Sequence, residues 1–93
     1  MILHLIQDSP SHNAALKCCL RYASANDSII LTGDAITAML MLDWQQQCHD
    51  INLMLIKDEV IARGLTEQLK HYPQISQSEF VEQTLLHSKV ISW

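Results

Sequence analysis

Glycine is scarce: the 93 residues hold two, Gly33 and Gly64. A loop that cradles a phosphate after a strand needs glycine or hydroxyl residues, so that backbone N–H groups can close around the anion. The segment after the first apolar run, "QDSPSHN", contains no glycine and only two serines, interrupted by a proline, so it is neither glycine-rich nor hydroxyl-rich and no nucleotide or flavin cofactor is expected. Positive charge is also scarce, with six Lys and Arg against ten Asp and Glu and a net charge of −4. The basic residues are scattered, and without a cationic patch to displace phosphate counterions no direct nucleic-acid binding is expected. No apolar run approaches the roughly 20 residues of a membrane span. The opening "MILHLI" lacks a charged n-region and is too short for a secretory signal. Three cysteines, an odd number with no secretory mark, point to free thiols in a reducing compartment, and hence to a cytoplasmic protein.

Apolar side chains are plentiful: 48% of residues are hydrophobic and 17% charged. A chain of this length makes one small domain, residues 1–93, with a modest core. The surplus of apolar surface implies self-association or partner subunits.

Along the chain, short apolar runs alternate with helical patterns. "ILHLI" (2–6), "SIILT" (28–32) and "INLMLI" (51–56) read as buried strands, with weaker ones near Gln74 to Ser76 and at "VISW" (90–93). Helices are predicted from His12 to Ser24, started by Ser11 or Asn13, and over "AITAMLMLDWQQQC" with Asp34 as its N-cap. Further helices are predicted over "KDEVIARG", stopped by Gly64, and over the amphipathic "SEFVEQTLLHS" (78–88). Strands apolar on both faces that alternate with helices define an α/β chain. Its predicted form is a three-layer α/β/α sandwich around a mainly parallel sheet of four or five strands. Sites in such folds lie at the carboxyl ends of the strands, here "QDSPS", "TGDA" and "KDE".

Few residues there suggest chemistry. Asp8, Asp34 and Asp58 are loosely placed for a phospho-acceptor pocket and read better as turn and cap residues. Cys48-His49 lacks the repeated spacing of a zinc site, so no metal is expected. His4, inside a strand, reads as a satisfied interior histidine, and His71 and His87 as surface residues. In helix one, Leu16, Cys19, Leu20 and Ala23 form the core-facing stripe; Cys18 lies beside it, near Lys17 and Arg21. Between Ala35 and Leu42 only Thr37 is not apolar. A helix apolar almost all round needs cover on two sides, which makes Ile36, Met39, Leu40 and Met41 the predicted subunit interface.

The segments "ILHLIQDSP", "AALKCCLRYA", "DSIILTGDAI", "DEVIARGL" and "FVEQTLLHSKVISW" together resemble the TusB/DsrH family. The closing pattern of Phe80-Val81, Thr84, His87 and Trp93 is the most particular part, and the similarity runs over essentially the whole chain. The resemblance implies a DsrE/F/H-like fold and assembly with TusC-like and TusD-like subunits into a hexamer, a dimer of heterotrimers. Such a complex relays persulfide sulfur from a TusA-like donor to a TusE-like acceptor for 2-thiolation of the tRNA wobble uridine. In the Tus branch the sulfur-carrying cysteine belongs to the TusD-like subunit. DsrH-like chains carry a cysteine in the first helix, and Cys19 matches that position; Cys18 and Cys48 match none. Two readings follow: a non-catalytic subunit of the relay, or a DsrH-like persulfide carrier acting through Cys19 in sulfur oxidation. An unrelated flavodoxin-like interaction module is a third.

Overall fold

The structure, a computed structural model, describes residues 1–9, 11 and 14–93. The described residues form β1 (Ile2–Ile6), α1 (Ala15–Tyr22), β2 (Ser28–Leu31), a 3₁₀ helix (Gly33–Leu40), α2 (Leu42–Gln47) and β3 (Asn52–Ile56). They continue with α3 (Lys57–Ala62), β4 (Gln74–Ile75), α4 (Gln77–Leu86) and β5 (Lys89–Ser92). The strands make one sheet in the order β4-β3-β2-β1-β5, and every neighbouring pair is parallel.

Strand order accounts for the layering. From β1 to β4 the chain steps in one direction across the sheet, so right-handed crossovers carry α1, the 3₁₀ helix, α2 and α3 over one face. The connection from β4 to β5 runs back to the far edge, and the same handedness carries α4 over the other face. Two cores result. The larger packs Ile6, Ile29, Leu31 and Leu55 against Leu16, Cys19, Ile36, Met39 and Val60. The smaller packs Leu3, Ile30, Met54, Ile56 and Ile75 under Phe80 of α4.

Helix ends differ from the predicted ones for identifiable reasons. Helix α1 stops at Tyr22 because Asp27 captures Ser24, accepting hydrogen bonds from its N–H (3.1 Å) and hydroxyl (3.1 Å). At its start, the Ser11 hydroxyl pairs with Ser9 (3.0 Å), and Ala14 occupies the cap position without a side-chain bond. His12 and Asn13 lie outside the described residues. Helix α3 ends as predicted at Gly64 (φ +68°). There Gly64 N–H donates to Ile61 and Leu65 N–H to Val60, the paired bonds of a Schellman turn. Helix α4 opens with a capping box, in which Ser76 and Glu79 each accept the other's backbone N–H (3.2 and 3.0 Å).

The largest departure lies in the second helical segment, which is two helices rather than one. Met41 is extended (φ −106°, ψ 127°) and separates the 3₁₀ helix from α2. The Gln45 amide donates to the Met39 carbonyl (2.7 Å) at the break. Asp34 is not the N-cap; Thr32 is, and the Asp34 carboxylate pairs with Arg63 (2.7 Å). Three residues per turn aligns side chains at i and i+3. Ile36 and Met39 therefore form one ridge and Ala35 and Ala38 another, all four fully buried in this chain's own core. Asp34, Thr37 and Leu40 make the outer ridge, where Asp34 and Leu40 are exposed. Of the predicted two-sided cover, this chain's own core supplies the inner side at Ile36 and Met39, and Leu40 and Met41 are left outside it.

Met39→Ala is expected to lower stability by about 2–5 kcal/mol, as for a large side chain lost from a sealed core. Leu40→Ala is expected to stay within about 0.5 kcal/mol, as for an exposed site. Urea unfolding of both variants checks the assignment of the two ridges.

Candidate functional site

The buried polar residues of the larger core form one network around His4, whose ring is fully buried. The Trp93 indole N–H donates to His4 Nδ1 (3.0 Å). Indole nitrogen only donates, so Nδ1 is the acceptor and Nε2 carries the proton, which it donates to Asp27 Oδ2 (2.9 Å). Asp27 also accepts from Ile2 N–H (3.0 Å) and from the Ser24 N–H and hydroxyl. The His4 hydrogen bond, aided by those from Ser24 and Ile2, holds the Asp27 carboxyl well below the usual carboxylate range, against the opposing effect of burial. Tyr22 stands edge-on to both His4 (5.9 Å) and Trp93 (5.8 Å) and encloses the cluster. The cluster is a structural fastener, because every lone pair and proton named is engaged within the fold.

A second chain of hydrogen bonds runs beneath α4. His87 Nδ1 donates to the Gln83 carbonyl (2.7 Å), and the Ser28 hydroxyl meets Nε2 (3.0 Å) while accepting from the Asn52 amide (2.9 Å). His87 is therefore buried, not a surface residue as the sequence suggested; His71 is exposed. The interior role read for His4 holds, but its partners were not foreseen. An acid immediately before a strand, Asp27, was the available signal for one of them.

The thiols separate sharply. Cys19 is fully buried in the larger core, and burial, aided by the neighbouring Cys48 and Asp27, pushes its thiol up to about 12. Cys48 is 5% exposed, and burial pushes it up to about 11. Cys18 is exposed on the outer side of α1, and all three are free. His49, beside Cys48 in sequence, is exposed and pairs with Asp50 (3.0 Å). Among the described residues no three His, Cys, Asp or Glu side chains gather as a metal site. Asp34 is committed to Arg63, and Asp58 lies in the first turn of α3.

Two apolar patches remain at the surface. Of the predicted interface residues, Ile36 and Met39 are core, while Leu40 (45% exposed) and Met41 (40%) join Leu42 (65%) as an exposed run. On α4, Val81, Leu85 and Leu86 face outward, and no residue of that helix is fully buried. No helix among the described residues is long and apolar enough to cross a membrane.

The class is thus an all-parallel α/β chain of unequal helical layers, with a sealed helix-one cysteine and exposed apolar patches. The family described as DsrH like protein matches residues 8–90, and the chain belongs to that TusB/DsrH family. Protein TusB of Yersinia pestis (strain Pestoides F) is 32% identical over 96 residues, covering 99% of this chain and 100% of the relative. Protein TusB of Yersinia pseudotuberculosis (serotype O:1b) matches to the same extent, 32% over 96 residues. The solution NMR structure of protein Tm0979 from Thermotoga maritima shares the fold, with a TM-score of 0.67 and 28% identity over 94% of both chains.

Trp93→Phe keeps the ring but strands His4 Nδ1 without a donor, at an expected cost of about 1–3 kcal/mol in thermal or urea unfolding. A depressed carboxyl stabilises the fold fully above the ordinary Asp value and loses that contribution as pH falls below it. Stability should therefore decline below about pH 4, and Asp27→Asn should flatten that decline while lowering stability at neutral pH. In the native protein one thiol, Cys18, should react promptly with an aromatic disulfide at pH 8, with Cys19 and Cys48 following only on unfolding. Spectrophotometric thiol counting with and without denaturant reads this directly.

Proposed function

We propose that this chain is a non-catalytic subunit of a cytoplasmic sulfur-relay complex of the TusBCD type, serving 2-thiolation of the tRNA wobble uridine. Its partners are TusC-like and TusD-like subunits in a hetero-hexamer. The complex takes sulfur from a TusA-like donor and passes it to a TusE-like acceptor. In each transfer an accepting thiolate attacks the outer sulfur of a persulfide, takes that sulfur, and releases the donor cysteine as a thiolate.

One observation supports a structural over a sulfur-carrying role. Cys19, the position at which DsrH-like chains carry a cysteine, is fully buried with its thiol pushed up to about 12. Such a thiol offers neither access nor thiolate for attack. What the chain does offer is contact surface: Leu40, Met41 and Leu42 beside α2, and Val81, Leu85 and Leu86 on α4. Ile36 and Met39 serve this surface indirectly, by holding the 3₁₀ ridge against the core.

Reconstitution with the partner subunits tests the reading. Omitting this chain should prevent hexamer assembly and 2-thiouridine formation, and Cys19→Ala should assemble and support thiolation at the wild-type rate. Leu40→Glu combined with Met41→Glu should leave the isolated chain folded but weaken assembly, because a buried unpaired charge costs several kcal/mol, about 100-fold or more in affinity. A folded, assembled Cys19→Ala complex that makes no 2-thiouridine would establish the persulfide-carrier reading instead.

A further inference from the structure

At the carboxyl ends of β1, β2 and β3, on the face covered by α4, lies a cavity of about 160 Å³ that opens to solvent on one side. Its floor is Leu5, Ile30 and Ile56, its wall is the Phe80 ring, and its rim carries Gln7, Thr32 and Gln77. Parallel α/β sheets bind ligands outside the carboxyl ends of their strands, and an apolar hollow with a few converging polar groups is the usual form of such a site.

The rim side chains are unengaged, and the backbone that carries them is fixed. No side-chain hydrogen bond joins Gln7, Thr32 or Gln77 to another described residue. Thr32 stands at the N-cap of the 3₁₀ helix, yet its hydroxyl makes no capping bond. The backbone beneath these side chains is pinned: Thr32 N–H donates to Ile6 (3.0 Å) and Ala35 N–H to Gln7 (3.1 Å). Gly33 takes φ +55° at this turn, where a Cβ would come within 3.2 Å of the Gln7 carbonyl. Gln77 and Phe80 are fixed by the capping box that opens α4. Donors and acceptors carried on a fixed backbone and without internal partners are available to a ligand in the cavity.

The lining limits what enters. An apolar cavity of about 150 Å³ holds one six-membered ring. None of the seven lining residues is ionisable, so a charged ligand would be desolvated there without a counter-charge. Two primary amides and a hydroxyl supply donors and acceptors together, matching a lactam or amide edge, and Phe80 supplies a ring face or edge for a planar molecule. The geometry points to a binding site for small, uncharged, single-ring compounds carrying a lactam or amide edge. It stands on the cavity alone and does not depend on the relay reading.

Titration of the ¹⁵N-labelled chain with 2-pyridone, followed by amide chemical shifts, tests the site. Saturable shifts centred on Gln7, Thr32, Gln77 and Phe80 are expected, half-complete below about 5 mM, as suits a ligand of seven heavy atoms. Thr32→Val preserves shape and Gln77→Ala alters an exposed position, so both keep the native amide spectrum. Each should weaken 2-pyridone about fivefold, the loss of one hydrogen bond, while leaving benzene binding unchanged. Benzoate and N-methylpyridinium should produce no saturable shifts. Four outcomes overturn the assignment: no saturation by 2-pyridone up to about 20 mM, shifts centred elsewhere, equal response to the charged rings, or 2-pyridone affinity untouched by both substitutions.

Discussion

Everything on the larger face rests on one constraint: His4 is buried with two ring nitrogens that must both be partnered. Asp27 partners one and Trp93 the other, so residues from the entry to β2 and the exit of β5 meet on β1, the strand that lies between them. Asp27 in turn fixes Ile2 and Ser24, which sets both the start of β1 and the end of α1. The network therefore sets where the first helix ends, while its apolar stripe of Leu16, Cys19 and Leu20 sets which side turns inward. Cys19 is sealed and Cys18 is not because only Cys19 lies on that stripe.

The same economy shapes the second face. One helix, α4, covers it, and Phe80 is the side chain that reaches the smaller core. The helix is capped at its start by Ser76 and Glu79 and tied to the sheet at its end by the bond between His87 and Ser28 of β2. With its ends secured by polar contacts, its apolar residues are released to the outside, as Val81, Leu85 and Leu86 show. A surface of that kind is what the proposed relay assembly would cover.

The alternation of apolar runs and helical patterns was enough to read the layers, the parallel sheet and all five strands to within a residue or two. Strand order was beyond it, because local patterns carry no information about which distant strands pair. The Gly64 stop was legible since a left-handed C-cap is a local requirement. The division at Met41 was not, since nothing in "AMLMLD" marks a change of period, and the 3₁₀ turns follow from packing on β2 and β3. At the candidate site, the inward stripe of α1 placed Cys19 correctly. His87 was misread because its partner Ser28 lies 59 residues away and no spacing could reveal it. The cavity rim was invisible for the same reason, as Gln7, Thr32 and Gln77 come from three separate segments.

The position of β5 carries a kinetic consequence. Strand β1 finds β2 nearby, but its other edge is filled by a strand whose contacts reach across 87 and 89 residues of chain. Long closures are slow, so the pairing of β5 with β1 is the costliest contact of the sheet to form, and until it forms the far edge of β1 is bare. A bare parallel edge bordered by Leu3 and Leu5 is a template for any strand that arrives first. The β5 of a second copy carries the same residues, so this edge is where two copies of the chain would exchange strands.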